Sequence, residues 1–116
     1  MDMAGRGIAR SIKRFEVYWT TLDPAVGHEM QKTRPCMVIT PDKMNRLLGT
    51  VIIAPITSTQ RSLPFRANVE IKGKKGQIAL DQLRTVDKSR IGDVIEMIRG
   101  KDRQEILAKL EEMFAE

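Results

Sequence analysis

A chain of 116 residues, 41% hydrophobic and 30% charged, is sized for one globular domain whose core needs neither metal nor disulfide staples. No apolar run approaches the roughly 20 residues of a membrane-spanning helix, and the basic start (Arg6, Arg10, Lys13, Arg14) lacks the apolar segment of a secretory signal. The single cysteine, Cys36, excludes an intrachain disulfide, suits a reducing cytoplasm and, set in an apolar run, reads as a buried structural thiol.

The net charge of +5 is uneven: residues 1–14 carry +3, residues 15–84 carry +4 and residues 85–116 carry −2. A polyanion would therefore meet the chain before residue 85, although a basic surface also serves solubility alone.

Residues 1–13 combine two glycines with scattered basic residues and read as a basic N-terminal extension, leaving 14–116 as the folded domain. From Phe15 the pattern alternates. Phe15, Val17 and Trp19 share one face and are expected in the core, with Glu16, Tyr18 and Thr20 on the other. Asp23-Pro24 ends this strand, and the segment Ala25–Thr33, with Gly27 and no apolar period, reads as an exposed loop leading into a strand over Pro35–Ile39.

Thr40-Pro41-Asp42 resembles a helix start with proline at the first helical position, and Gly49 should stop that short turn. Val51–Ile56 is apolar on both faces, as a central strand requires, with Pro55 closing its end. After a polar, basic loop over Thr57–Pro64, strands at Phe65–Ile71 and Gln77–Leu83 flank the turn 72–76 as a hairpin. Ile91–Ile98 reads as the last strand. Asp102, with Glu105 three residues on, marks a capped helix whose apolar stripe is Ile106, Leu110, Met113 and Phe114, joined by Leu107 at its margin. Several short strands and a terminal helix predict a small, curved, mainly antiparallel barrel.

The chemistry is narrow. One histidine and one cysteine cannot supply a clustered zinc ligand set, and no phosphate-cradling glycine motif occurs, so no metal or cofactor is expected. The segment from Leu22 to Pro35 instead places a carboxylate, Glu29, and a guanidinium, Arg34, about a turn that leads into a strand. RNA offers a metal-free route to cleavage through its own 2′-hydroxyl. Such a reaction needs a base, groups that stabilise the phosphorane charge and an acid for the leaving oxygen; Glu29, Arg34 and Thr57 are of the right types.

Six segments then occur in a familiar order and spacing: Phe15–Trp19, Leu22-Asp23-Pro24, Gly27-His28-Glu29, Thr33-Arg34-Pro35, Val51–Ser58 and Leu80–Asp87. Together they resemble the MazF/PemK (Kid) family over residues 14–114. The resemblance implies an SH3-related, CcdB/MazF-like barrel, mainly β with a short helix and a C-terminal helix. It also implies a homodimeric, cytoplasmic toxin endoribonuclease that cuts single-stranded RNA sequence-selectively, leaving a 2′,3′-cyclic phosphate and a 5′-hydroxyl. Its partner would be a cognate antitoxin, expected as a disordered acidic segment folding over the basic groove.

The family's catalytic arginine and threonine correspond to Arg34 and Thr57, and its loop glutamate to Glu29. Asp81 corresponds to a base-like aspartate of the PemK branch, which acts there with an arginine two residues earlier; this chain has Ala79 at that place. Asp81 and Gln82 equally suit backbone contacts at a dimer interface. His28 suits acid–base work or contact with RNA or antitoxin. Lys32, Arg61, Arg66, Lys72, Lys74 and Lys75 are expected on loops, tracking phosphates, and Trp19 would stack a base only if exposed.

Two further departures stand out: Phe15 follows Arg14 where the family has glycine, and Met30-Gln31-Lys32 replaces a stretch that usually ends in glycine. Two other functions remain compatible with the residues. One is a catalytically silent RNA-binding barrel. The other is a CcdB-like gyrase poison, against which the ending Phe114-Ala115-Glu116 counts, since that branch ends in Trp-Gly-Ile.

Overall fold

In the computed structural model, which describes residues 11–116, seven strands and two helices follow one another. The order is β1 (Glu16–Thr21), β2 (Thr33–Val38), α1 (Asp42–Leu47), β3 (Thr50–Thr57), β4 (Arg66–Ile71), β5 (Lys74–Ala79), β6 (Arg84–Asp87), β7 (Ile91–Met97) and α2 (Gly100–Phe114), with single 3-10 turns at Leu80–Gln82 and Lys88–Arg90. All pairings are antiparallel, in the spatial order β4-β5-β3-β2-β1-β7, with β6 also on β3. The expected curved barrel is thus a curled half-barrel, in which no pairing of β4 with β7 closes the sheet among the described residues.

Both faces of the central strands are buried, and this corrects the reading of β1. On one face Phe15, Val17, Met37, Ala54, Ile56 and Ile78 pack beneath Ile106, Leu110 and Met113 of α2. On the other, Tyr18, Leu22, Cys36, Val38, Ile53 and Val86 form a second core. Tyr18 and Thr20 are therefore buried, whereas Trp19, expected in the core, is 47% exposed. Period-2 alternation identified the strand, but only the second layer decides that its polar-looking face is also covered.

Ile12 belongs to the second core, so packing begins before residue 14; the rest of the expected extension, residues 1–10, lies outside the described residues. Pro55 does not end β3. It sits between residues 50–53, which pair with β6, and residues 56–57, which pair with β5, where one neighbouring ladder gives way to the next. The β4–β5 hairpin has a tighter turn than expected. Ile71 pairs with Lys74 across Lys72-Gly73, both at positive φ, so Lys74 and Lys75 lie in β5. Residues 84–87, expected in no element, form β6.

Helix α2 begins two residues before Asp102, which caps nothing and lies in the first turn, favourable to the helix dipole. Phe114 stands 72% exposed, off the packed stripe. No helix of the described residues is long and apolar enough to cross a membrane.

Candidate nucleic-acid interface

Sheet register assembles the site. Cys36 pairs with Pro55 at the end of the β2–β3 ladder, and two residues beyond each partner Arg34 and Thr57 line one depression. Thr20 pairs with Arg34, Thr57 with Gln77, and Gln77 with Asn68. Cross-strand partners share a face. Thr20, Arg34, Thr57, Gln77 and Asn68 thus form a polar row across five strands, on the face of Cys36.

Each member of the row is held. Arg34 donates Nε to the Gln31 carbonyl at 3.0 Å, which fixes the guanidinium at the loop end and leaves its terminal nitrogens for a ligand. Thr57 Oγ1 accepts the Thr59 N–H at 3.2 Å, so its hydroxyl proton is available to donate outward. Gln77, buried, accepts the Arg61 N–H at 3.0 Å and donates to the Arg61 carbonyl at 2.9 Å and to Asn68 Oδ1 at 3.0 Å. It pins the loop after Thr57. Sequence reasoning passed over Gln77, whose signal was a polar residue inside a run otherwise suited to the core.

Depressions open on both sides of this row. One, about 450 Å³, is lined by Arg34 and Thr57 at the strand ends, by Trp19, Pro35 and Ile56, and by Lys32, Lys72, Lys74 and Lys75. The other, about 570 Å³, is lined by Thr57, Arg61, Asp81, Gln82 and His28, with Arg66 in its wall. Thr57 is common to both. Glu29 lies with Asp81 and Gln82 in a third, adjoining depression of about 280 Å³.

The expected site residues thus divide. Arg34 and Thr57 come together with four of the expected lysines. His28 and Arg61 reach the second depression, both exposed. Glu29 is separate from the Arg34 groove, and its Oε1 accepts the Val26 N–H at 2.8 Å, closing its own turn. Gln82 Oε1 accepts the Met30 N–H at 3.3 Å within the chain.

Arg66, expected on a loop, is in β4 with its side chain 6% exposed, and it grips Asp81 through Nε–Oδ1 at 2.6 Å and Nη2–Oδ2 at 3.1 Å. That guanidinium holds the Asp81 carboxyl below its ordinary pKa. A residue neutralised in this way does not track phosphates. Its partnership was hidden from the sequence because it crosses a strand pair.

The loop before Arg34 is stapled from below. Arg84 donates to the carbonyls of Leu22 at 2.6 Å and Pro24 at 3.4 Å, Arg90 donates to those of Thr21 and Asp23, and Asp23 Oδ1 accepts the Lys32 N–H at 2.9 Å. Among the described residues no cluster of side chains is arranged to hold a metal ion.

Set beside known proteins, this curled half-barrel has the fold of a class of toxins. The family of PemK-like, MazF-like toxins of type II toxin–antitoxin systems matches residues 13–114, and the chain belongs to it. It is 33% identical over 105 residues to the endoribonuclease PemK of Escherichia coli, covering 85% of this chain and 79% of that one. It is 39% identical over 90 residues to the endoribonuclease EndoA of Bacillus subtilis, covering 72% and 78%. The fold is shared with MazF from Deinococcus radiodurans, with a TM-score of 0.80, 24% identity, and coverage of 90% and 97%.

Proposed function

We infer that this chain is the toxin of a type II toxin–antitoxin pair and acts as an endoribonuclease, cutting single-stranded RNA through the RNA's own 2′-hydroxyl. The observation that carries this reading is that Arg34 and Thr57 line one basic-rimmed depression together, with Thr57 also lining a second. The Arg34 guanidinium stabilises the phosphorane charge; Thr57 donates its hydroxyl to a phosphate oxygen. Glu29 takes the 2′-hydroxyl proton. It is exposed on the adjoining loop and, unlike Asp81, is not gripped by a guanidinium. The lysines about the depression that Arg34 lines meet the phosphates, and an acidic antitoxin segment lying over them shuts RNA out.

The test maps cleavage ends on a long RNA in EDTA with wild type, Arg34→Ala and Thr57→Ala. Wild type should leave 2′,3′-cyclic phosphate and 5′-hydroxyl ends, and Arg34→Ala should lose about 100-fold or more in rate. Equal rates in all three proteins would remove both residues from the mechanism. Salt-sensitive binding without cleavage would favour a silent RNA-binding barrel. A gyrase-directed role has no support from the relatives, which are named endoribonucleases.

A further inference from the structure

Arg66 and Ala79 are cross-strand partners in the β4–β5 hairpin. Because partners share a face, Arg66 points to the side of Gln77 and Thr57, and its guanidinium crosses to the turn that follows β5, where Asp81 sits. The two ends of the pair differ sharply in exposure: the Arg66 side chain is 6% exposed and that of Asp81 38%. The buried arginine cannot reach out to a ligand, while the carboxylate it holds faces the depression that begins at Thr57.

Two parallel hydrogen bonds fix the plane of that carboxylate, since an arginine fork engages both oxygens at once. Of the carboxylate's four lone pairs, Arg66 takes two and the residue's own backbone N–H a third, which leaves one for a further donor. Beside it, Gln82 is oriented by the Met30 N–H on its Oε1, which leaves the amide Nε2 as a donor. The wall of the depression therefore presents a fixed charged acceptor next to a neutral donor. That combination complements a nucleobase edge carrying an exocyclic amino group beside an unprotonated ring nitrogen, as adenine and cytosine do and uracil does not.

We propose that Arg66 clamps Asp81 as a fixed acceptor which, with Gln82, reads an amino-bearing nucleobase next to the cleaved phosphate, so that the pair selects sequence and does not transfer the reaction's proton. Arg66 is then a positioning residue and Asp81 a specificity residue. The guanidinium that holds the carboxyl ionised also makes it a poor base, because a proton on Asp81 would cost its ion pair.

This inference rests on the endoribonuclease reading. It is tested by sequencing the ends cut from a randomised RNA pool by wild type, Asp81→Asn and Arg66→Gln, together with single-turnover pH–rate profiles. Wild type should favour adenine or cytosine over uracil at one position beside the cut by about 10-fold or more. Both variants should collapse that ratio, and the acidic limb of the pH profile should persist in Asp81→Asn. Circular dichroism and thermal melting establish that each variant is folded; should Arg66→Gln unfold, Asp81→Asn decides alone. A uniform loss of rate with the preference intact and the acidic limb abolished would make Asp81 the base and overturn the proposal. An unchanged preference in a folded Asp81→Asn would also overturn it. Failure of wild type to cut any RNA would overturn the endoribonuclease reading itself, a result distinct from cleavage with unaltered preference.

Discussion

Phe15 and Lys32 stand where the family resemblance leads one to expect glycine, and both have a left-handed backbone, with φ of 72° and 70°. A left-handed conformation costs a residue bearing a Cβ about 1–2 kcal/mol. At Phe15 the cost is offset by packing: the ring is buried in the α2 core, with the guanidinium carbons of Arg103 and Arg14 at 4.3 and 5.2 Å from its centroid. Phe15→Ala keeps the strained φ and loses the ring, so it should lower stability by about 3 kcal/mol in urea titration. Lys32 is exposed and has no such compensation. Lys32→Gly should raise stability by about 1 kcal/mol, and a lower melting temperature would show that its side chain matters more than its φ.

Cys36 belongs to the same scale. Burial pushes its thiol up to about 12, outweighing the hydrogen bond with Thr20 and the nearby Arg34 and Arg84 charges that act the other way. The folded protein therefore keeps a proton that the unfolded chain releases above its ordinary thiol pKa. The stability contributed by this group is full below about 8.5 and falls as pH rises towards 12. A thiol reagent at pH 8 should label Cys36 only when denaturant is added; rapid labelling of the native protein would contradict its burial.

At the scale of elements, two loops meet the polar row and each is tied by a side chain from elsewhere. Arg84 of β6 holds the loop before Arg34, and Gln77 of β5 holds the loop after Thr57 from both its N–H and C=O sides. Gln77→Ala should release residues 58–64 and lower cleavage about 10-fold while leaving Arg34 and Thr57 in place. Amide exchange across that loop, measured beside the rate, checks that the two effects arise together. Gly76 adjoins the same row on the opposite face, where an added Cβ would stand 3.1 Å from Ile56 Cγ2 and 3.2 Å from the Thr57 carbonyl. Here glycine is required by close approach of β5 to β3.

For the whole molecule, charge decides the encounter. Lys72, Lys74 and Lys75 lie together at the β4–β5 turn, where the hairpin brings three residues close in sequence onto one rim. Replacing all three with alanine should weaken RNA binding evenly across sequences and flatten its salt dependence by about 0.7 in log–log slope for each phosphate no longer neutralised. An unchanged slope would place the RNA elsewhere. An antitoxin segment lying over the same positive rim, as proposed above, should bind the triple variant less tightly as well. A homodimer would set two such surfaces side by side, and sedimentation across a concentration series tests it.

Six of the seven strands, the terminal helix and the order of Arg34, Thr57 and Asp81 were legible in the sequence because alternation, turn residues and motif spacing are local. The burial of Tyr18 and exposure of Trp19 were not, since alternation tells which residues share a face and not which faces are covered. Nor was the Arg66–Asp81 pair, fifteen residues apart and joined only through a hairpin register. The sequence by itself determined the element types, the excess of positive charge and the residues able to act on a phosphodiester. The tertiary structure decided which of them meet, because antiparallel register places residues distant in the chain on one row, and burial decides which charges remain for a ligand.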